Sequence, residues 1–173
     1  MSMGQTMITA AFFTLLILSA ISVNRMLIES AETDYKTEAY AQAIGIAQEL
    51  MNEATKKKFD ENAVSPGPQR TSAFTVSSRL GPDGSGEAIS PWPDHPLYQS
   101  PTKYDDVDDY HGYRRTANGS TMSGFEASAQ VYYVMETSPH TRTTSRTYMK
   151  RIDVKVRHDR YLDSLKISRF VTY

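Results

Sequence analysis

Tyr104-Asp-Asp-Val-Asp-Asp-Tyr110 gathers four carboxylates, Asp105, Asp106, Asp108 and Asp109, into five consecutive positions. Like charges at such spacing repel by about 1 kcal/mol per close exposed pair, so the segment needs a cationic partner. Calcium suits it, being a hard ion that takes roughly six to eight oxygen ligands. Competing neutralisers are Arg114 and Arg115, a few positions downstream, with Tyr104 and Tyr110 packed beneath the acids. Calcium is the only cofactor to which the residues point.

No other group has the spacing that catalysis requires. His95, His111, His140 and His158 stand apart, none within a His-Glu-x-x-His pattern. Gly84-Ser85-Gly86 fits neither a nucleophile elbow nor a dinucleotide-binding loop. Asn118-Gly119-Ser120 matches a glycosylation sequon, but Asn-Gly is also a plain turn signal. The absence of cysteine excludes disulfides, thiolate metal sites and a thiol nucleophile. A net charge of −1 offers no basis for nucleic-acid binding. The 11 tyrosines are assigned to sheet core and subunit contacts, and the chain is read as a non-enzyme.

The elements that position the acids begin at an uncharged end. The chain has 173 residues, of which 23% are charged, yet the first charged side chain is Arg25. This length holds one domain plus an appendage. Met7 to Val23 is apolar apart from small hydroxyl residues, which can bond back to helix carbonyls. As a helix it spans about 25 Å, slightly short of the hydrocarbon core of a bilayer at about 30 Å. Ile8, Phe12, Phe13, Leu15, Leu16, Leu18 and Ile21 are its candidate membrane and assembly residues. A cleaved signal peptide is the rival reading, with Ala20-Ile21-Ser22 as its cut site. No lysine or arginine precedes the apolar run to form the positive region such a peptide carries.

Beyond Arg25, Ile28, Ala31, Tyr35, Ala39, Ala43, Ile46, Leu50 and Ala54 recur every three or four residues, widened by Ile44, Ala47 and Met51. That pattern predicts one amphipathic helix ending near Phe59 to Asn62, with Lys56, Lys57 and Lys58 at its negative end and Ser65-Pro66-Gly67-Pro68 forbidding continuation. The full helix, from about Gln5 to Glu61, would be about 80 Å long. A globule formed by the remaining residues, about 35 Å across, covers only half of such a length. The apolar half must then be solvated by lipid or by other chains.

Downstream, Ala73 to Leu80 alternates as one strand, and Gly81 to Gly86 reads as a turn. An irregular stretch from Ser90 to Thr116 follows, with prolines at 91, 93, 96 and 101. Phe125 to Met135, Tyr148 to Val156 and Ser164 to Tyr173 alternate as antiparallel strands, with a turn over Ser138 to Thr144. Arg169 falls on an otherwise apolar strand face, which predicts an edge or a bulge. The expected class is α+β, a long N-terminal helix packed by its second half on a small antiparallel sheet. Four segments result: 1–24 as anchor and assembly half, 25–62 as amphipathic half, 63–121 as variable loop region with a strand, and 122–173 as sheet. Net charge runs −3, −2 and +4 over the last three. Most of that is a solvated strand face; a basic sheet edge meeting a neighbour's acidic helix would also steer assembly.

This layout resembles the type IV pilin-like superfamily, which includes pilins and type II secretion pseudopilins. Tyr104-Asp-Asp-Val-Asp-Asp-Tyr110-His-Gly-Tyr113 resembles the acidic-aromatic segment of minor pilins of mannose-sensitive haemagglutinin pili. Tyr148 to Val156 and Leu165 to Val171 are similar to the last two strands of pseudopilins. The resemblance implies a structural subunit held in the bacterial inner membrane before assembly. It then polymerises with itself and other pilin-like subunits, through assembly machinery, into an extracellular or periplasmic filament. It also implies calcium dependence in some members, and peptidase cleavage after a glycine. Gly4 and Gln5 are the residues that match the cut, with Thr9 in the fifth mature place usually held by glutamate. If Met1 is the mature start, Gln5 takes that place. The departing position implies either a tip-type subunit or a lineage docking by packing alone. The other reading of the whole chain is a single-pass anchored binding or scaffold protein of a stationary envelope complex.

Overall fold

The computed structural model describes residues 3–63, 70–84, 86–87 and 100–173. The expected proline stop at 65–68, the prolines at 91, 93 and 96, and His95 lie outside them. Helix α1 spans Met3–Thr55, and the chain divides into two compact units, Met1–Glu38 and Ala39–Tyr173.

In the first unit the helix carries its large apolar side chains outward, and its threonine hydroxyls are satisfied internally. Thr6, Thr9 and Thr14 donate to the carbonyls of Met3, Gln5 and Ala10 at 2.8–2.9 Å, which is the back-bonding expected of an apolar helix that uses small polar residues.

In the second unit Ala39, Ala43, Ile46, Ala47, Leu50, Met51 and Ala54 of α1 are buried. Small side chains let the helix backbone approach the sheet closely, and the stripe joins Ala127, Ala129, Val131, Ile152, Val154 and Val156 in one core. A second core holds Phe59, Phe74, Leu80 and Tyr133.

The helix ends at Thr55, earlier than the lysine run predicts. Lys57 and Lys58 have better partners outside it. The Lys57 ammonium donates to the carbonyls of Pro101 and Tyr104 at 2.7 and 2.6 Å, and Lys58 exchanges backbone bonds with Asp105 and Val107. The lysines therefore bind a distant segment instead of capping the helix.

The strand expected over Ala73 to Leu80 is replaced by two 3-10 turns, Thr71–Ala73 and Ser77–Arg79. Between them the Thr75 N–H, which a strand would spend on a ladder, donates to the Asp60 carboxylate at 2.9 Å.

Among the described residues five antiparallel strands form the sheet: β1 (Arg114–Ala117), β2 (Phe125–Met135), β3 (Ser138–Arg142), β4 (Met149–His158) and β5 (Leu162–Thr172). Their order is β1-β2-β4-β5, with β3 paired to the end of β2. Two strands go beyond the sequence expectation. β1 begins in the last residues of the stretch read as irregular, and β3 occupies most of the stretch read as a turn, formed where β2 shifts register between Val134 and Met135. β5 ends the strand order, and Arg169 is exposed there, as its edge assignment requires. The register places Ala129 opposite Val154 and Val154 opposite Ile167, so the alternating residues line one face.

Candidate functional site

Two regions carry the chemistry, and each is described within its own unit. The first is the apolar part of α1. Ile8, Phe12, Phe13, Leu15, Leu16, Leu18 and Ile21 are all exposed, from 73% for Ile8 to 48% for Leu16. They point to every side of the helix, because consecutive residues 15–18 are all large and apolar. The helix is long and apolar enough to cross a membrane, and none of that stretch is buried within the chain. Gly4 and Gln5 sit in its first turn, where nothing lies within 4 Å of the position a Gly4 side chain would take.

The second region is the acidic segment, which is folded inward. Tyr104, Tyr110 and Tyr113 stack edge to face with ring centroids 4.9–5.7 Å apart, forming an aromatic floor in the main core. Asp106, Asp108 and Asp109 are each less than 4% exposed. Charges buried this deeply must be bonded, and each one is. Asp106 accepts N–H bonds from Glu61, Asp108 and Asp109, and Asp109 accepts them from Asp105 and Asp106. The Asp108 carboxylate receives the Lys150 ammonium at 2.7 Å. Asp105, on the rim, pairs with Lys58 at 3.0 Å.

Electrostatics follow from that burial. Desolvation pushes Asp109 up to about 7, against the pull of the two backbone N–H groups. Burial and the neighbouring Asp108 push Asp106 upward as well. On the outer face of the sheet, Asp153 goes the other way, to about 2. Its own desolvation is outweighed by Lys166, Ser168, Tyr132 and Arg151 bonding its carboxylate.

Of the arginines proposed as neutralisers, Arg115 serves other acids. Arg115 meets Glu49 and Glu53 of α1 at 3.5 Å, and Arg114 faces away from Arg115 because they are adjacent on β1. Glu53 is a hub that sequence reading missed: one of its oxygens accepts Ser100 Oγ at 2.6 Å and Tyr110 Oη at 2.8 Å. Lys150 was legible only as a lysine in phase with Ile152, Val154 and Val156. That phase was the available signal, since it put a charge on the core side of β4.

As a calcium site the geometry differs from a simple four-acid bowl. Among the described residues, the three carboxylates that approach within 4.8 Å of one another are Asp83, Glu87 and Asp109, so only Asp109 of the acidic segment takes part. The three described histidines remain apart: His111 Nδ1 lies 2.6 Å from the Val131 carbonyl, His140 rests on Phe170 and His158 on Phe125. Asn118 is exposed just beyond β1, beside the turn in which the Gly119 N–H donates to Met122.

Compared with known proteins, the chain matches no family model, no curated protein and no solved structure.

Proposed function

We propose that this chain is a structural subunit of a type IV pilin-like filament. Its N-terminal helix anchors it in a bacterial inner membrane before assembly and packs against the helices of neighbouring subunits afterwards. The supporting observation is the exposure of large apolar side chains around the full circumference of α1 from Ile8 to Ile28. Water is a costly solvent for such a surface, at about 25 cal/mol per Å² of apolar area. Lipid and a bundle of identical helices are the two media that remove it from water. The α+β arrangement of a long N-terminal helix and a small antiparallel sheet is consistent with this family of subunits.

The partners are then copies of the chain, other pilin-like subunits, the membrane and the machinery that transfers subunits from lipid to filament. Cryo-electron microscopy of native assemblies tests the proposal. Helical filaments with α1 at their centre are the expected result. A chain that stays in the membrane within a stationary complex, with no filament, overturns it in favour of an anchored scaffold.

A further inference from the structure

Lys150, Asp60 and Asp108 form an enclosed triad that neither membrane anchoring nor assembly uses. All three are buried, Lys150 and Asp60 completely. Lys150 Nζ lies 3.0 Å from Asp60 Oδ2 and 2.7 Å from Asp108 Oδ1, and its third hydrogen bond goes to the Phe59 carbonyl at 2.7 Å. Aromatic rings close the site, with Phe59 4.6 Å and Tyr133 5.2 Å from the ammonium. The Asp60 carboxyl is clamped by donors on both oxygens. Thr75 N–H reaches Oδ2, beside which the Tyr133 hydroxyl lies at 3.3 Å while donating to the Thr75 carbonyl at 2.8 Å, and Asn62 N–H and Thr75 Oγ1–H reach Oδ1.

From this geometry we infer that Lys150 and Asp60 condense to an intramolecular amide, with Asp108 relaying the proton. An amine and a carboxyl held in contact away from water react as one molecule, so the entropy of bringing them together is spent in folding. A proton moves from Nζ to Asp60 Oδ2, leaving a neutral amine in contact with the carboxyl group. Nζ attacks Cγ while Asp108 takes a second proton from the nitrogen. The negative charge that develops on Oδ1 is met by the Asn62 N–H and the Thr75 hydroxyl. Asp108 then returns its proton to the departing Oδ2 hydroxyl, which leaves as water. One C–N bond forms, one C–O bond breaks, and no other reactant is needed. A neutral amide replaces the Lys150–Asp60 ion pair, and Asp108 ends as the carboxylate it began as, so the net charge of the triad is unchanged. Asp106 next to Asp108 is held toward its protonated form by burial, which limits the negative charge around the relay.

The bond would tie the segment just after α1 to the start of β4, an interior strand of the sheet, and close a long loop in a chain that has no cysteine for a disulfide. It does not depend on the filament reading, since an anchored scaffold would hold the same triad.

Peptide mass spectrometry of the purified full-length chain is the test. A joined pair of peptides containing Asp60 and Lys150, lighter than their sum by one water, is the expected result. Recovery of both peptides unlinked, with Lys150 open to amine labelling after denaturation, overturns the inference. A pair joined through Asp108 overturns the assignment of Asp60 as the acylated residue. On a denaturing gel the heated wild-type chain should run ahead of Lys150→Met, a readout that holds even if the variant folds poorly. Asp108→Asn should keep both reacting groups but lose the link; a full yield of link in that variant refutes the relay.

Discussion

The helix α1 solves the same problem twice with opposite residues. Up to Ile28 its apolar side chains are large and exposed: Phe12, Phe13, Leu15, Leu16, Ile17 and Leu18. From Ala39 on, the buried positions are mostly alanine, with Ile46, Leu50 and Met51 as the larger members. A surface to be covered by lipid or by other helices does well with bulk, since each large side chain removes more apolar area from water on transfer. A surface covered by the chain's own sheet needs proximity, and alanine supplies it. The polar side chains differ in the same sense. In the first region the threonine hydroxyls bond to their own helix, whereas in the second Glu53 gathers Ser100, Tyr110 and Arg115 from elsewhere in the fold.

The contrast is broken most directly by Leu16→Asp. A carboxylate at the middle of a membrane span costs about 2.5–3.5 kcal/mol on insertion scales, on a stretch already short for a bilayer. Membrane fractionation and electron microscopy should show loss of both insertion and filaments, with the near-ultraviolet dichroism of the sheet region unchanged. Filaments formed normally by this variant would refute the packing argument. The counterpart in the second region is Leu50→Ala, which leaves a cavity in the helix–sheet core. Thermal or denaturant unfolding of the full chain in detergent should report a loss of about 2–5 kcal/mol while insertion persists. Equal effects of the two substitutions on insertion would erase the distinction.

A third test sharpens the second region through pH. Asp109 in the folded protein titrates near 7, above its ordinary value, so the folded state binds this proton more tightly than the unfolded chain does. Its contribution is full below about pH 4 and is lost as the pH rises through 7. Asp153 acts in the opposite sense: its depressed value means that stability falls as the pH drops from about 4 toward 2. Melting temperature against pH should therefore decline between pH 4 and 7 in the wild type and decline less steeply in Asp109→Asn, where the raised Asp106 still acts. An unchanged slope in the variant would show that Asp109 is not the group responsible. The smallest effect belongs to Lys36→Ala. It removes an exposed pair with Glu32, one helical turn away, and should shift stability by no more than about 0.5 kcal/mol. A larger loss in unfolding experiments would mean that this part of the helix is held by more than its own turns.

What could be read from residues alone was whatever neighbours along the chain decide. The alternation in β2, β4 and β5 was visible because successive side chains on a strand face opposite ways. The end of α1, the turns around Thr75, and strands β1 and β3 were not. At the helix end and around Thr75 the backbone or a lysine takes a partner farther along the chain, as Lys58 does with Asp105 and Val107, whereas β1 and β3 are short strands that pair with β2 as local hairpins in stretches whose residues read as loop and turn. The acidic segment was visible as a concentration of charge, and its aromatic floor followed from Tyr104 and Tyr110. Sequence proximity favoured Arg115 as a neutraliser, whereas the fold gives Arg115 to Glu49 and Glu53 and brings Lys150 to Asp108.

The sequence by itself determined that one end of this chain cannot be left to water: no charged side chain occurs before Arg25, and no folding of the rest changes that composition. It also determined that a sheet would form with one apolar face. Tertiary structure alone decided which charges are buried together. Asp60 and Asp108 lie 90 and 42 positions from Lys150, and only a folded core that excludes water makes such a meeting both necessary and strong.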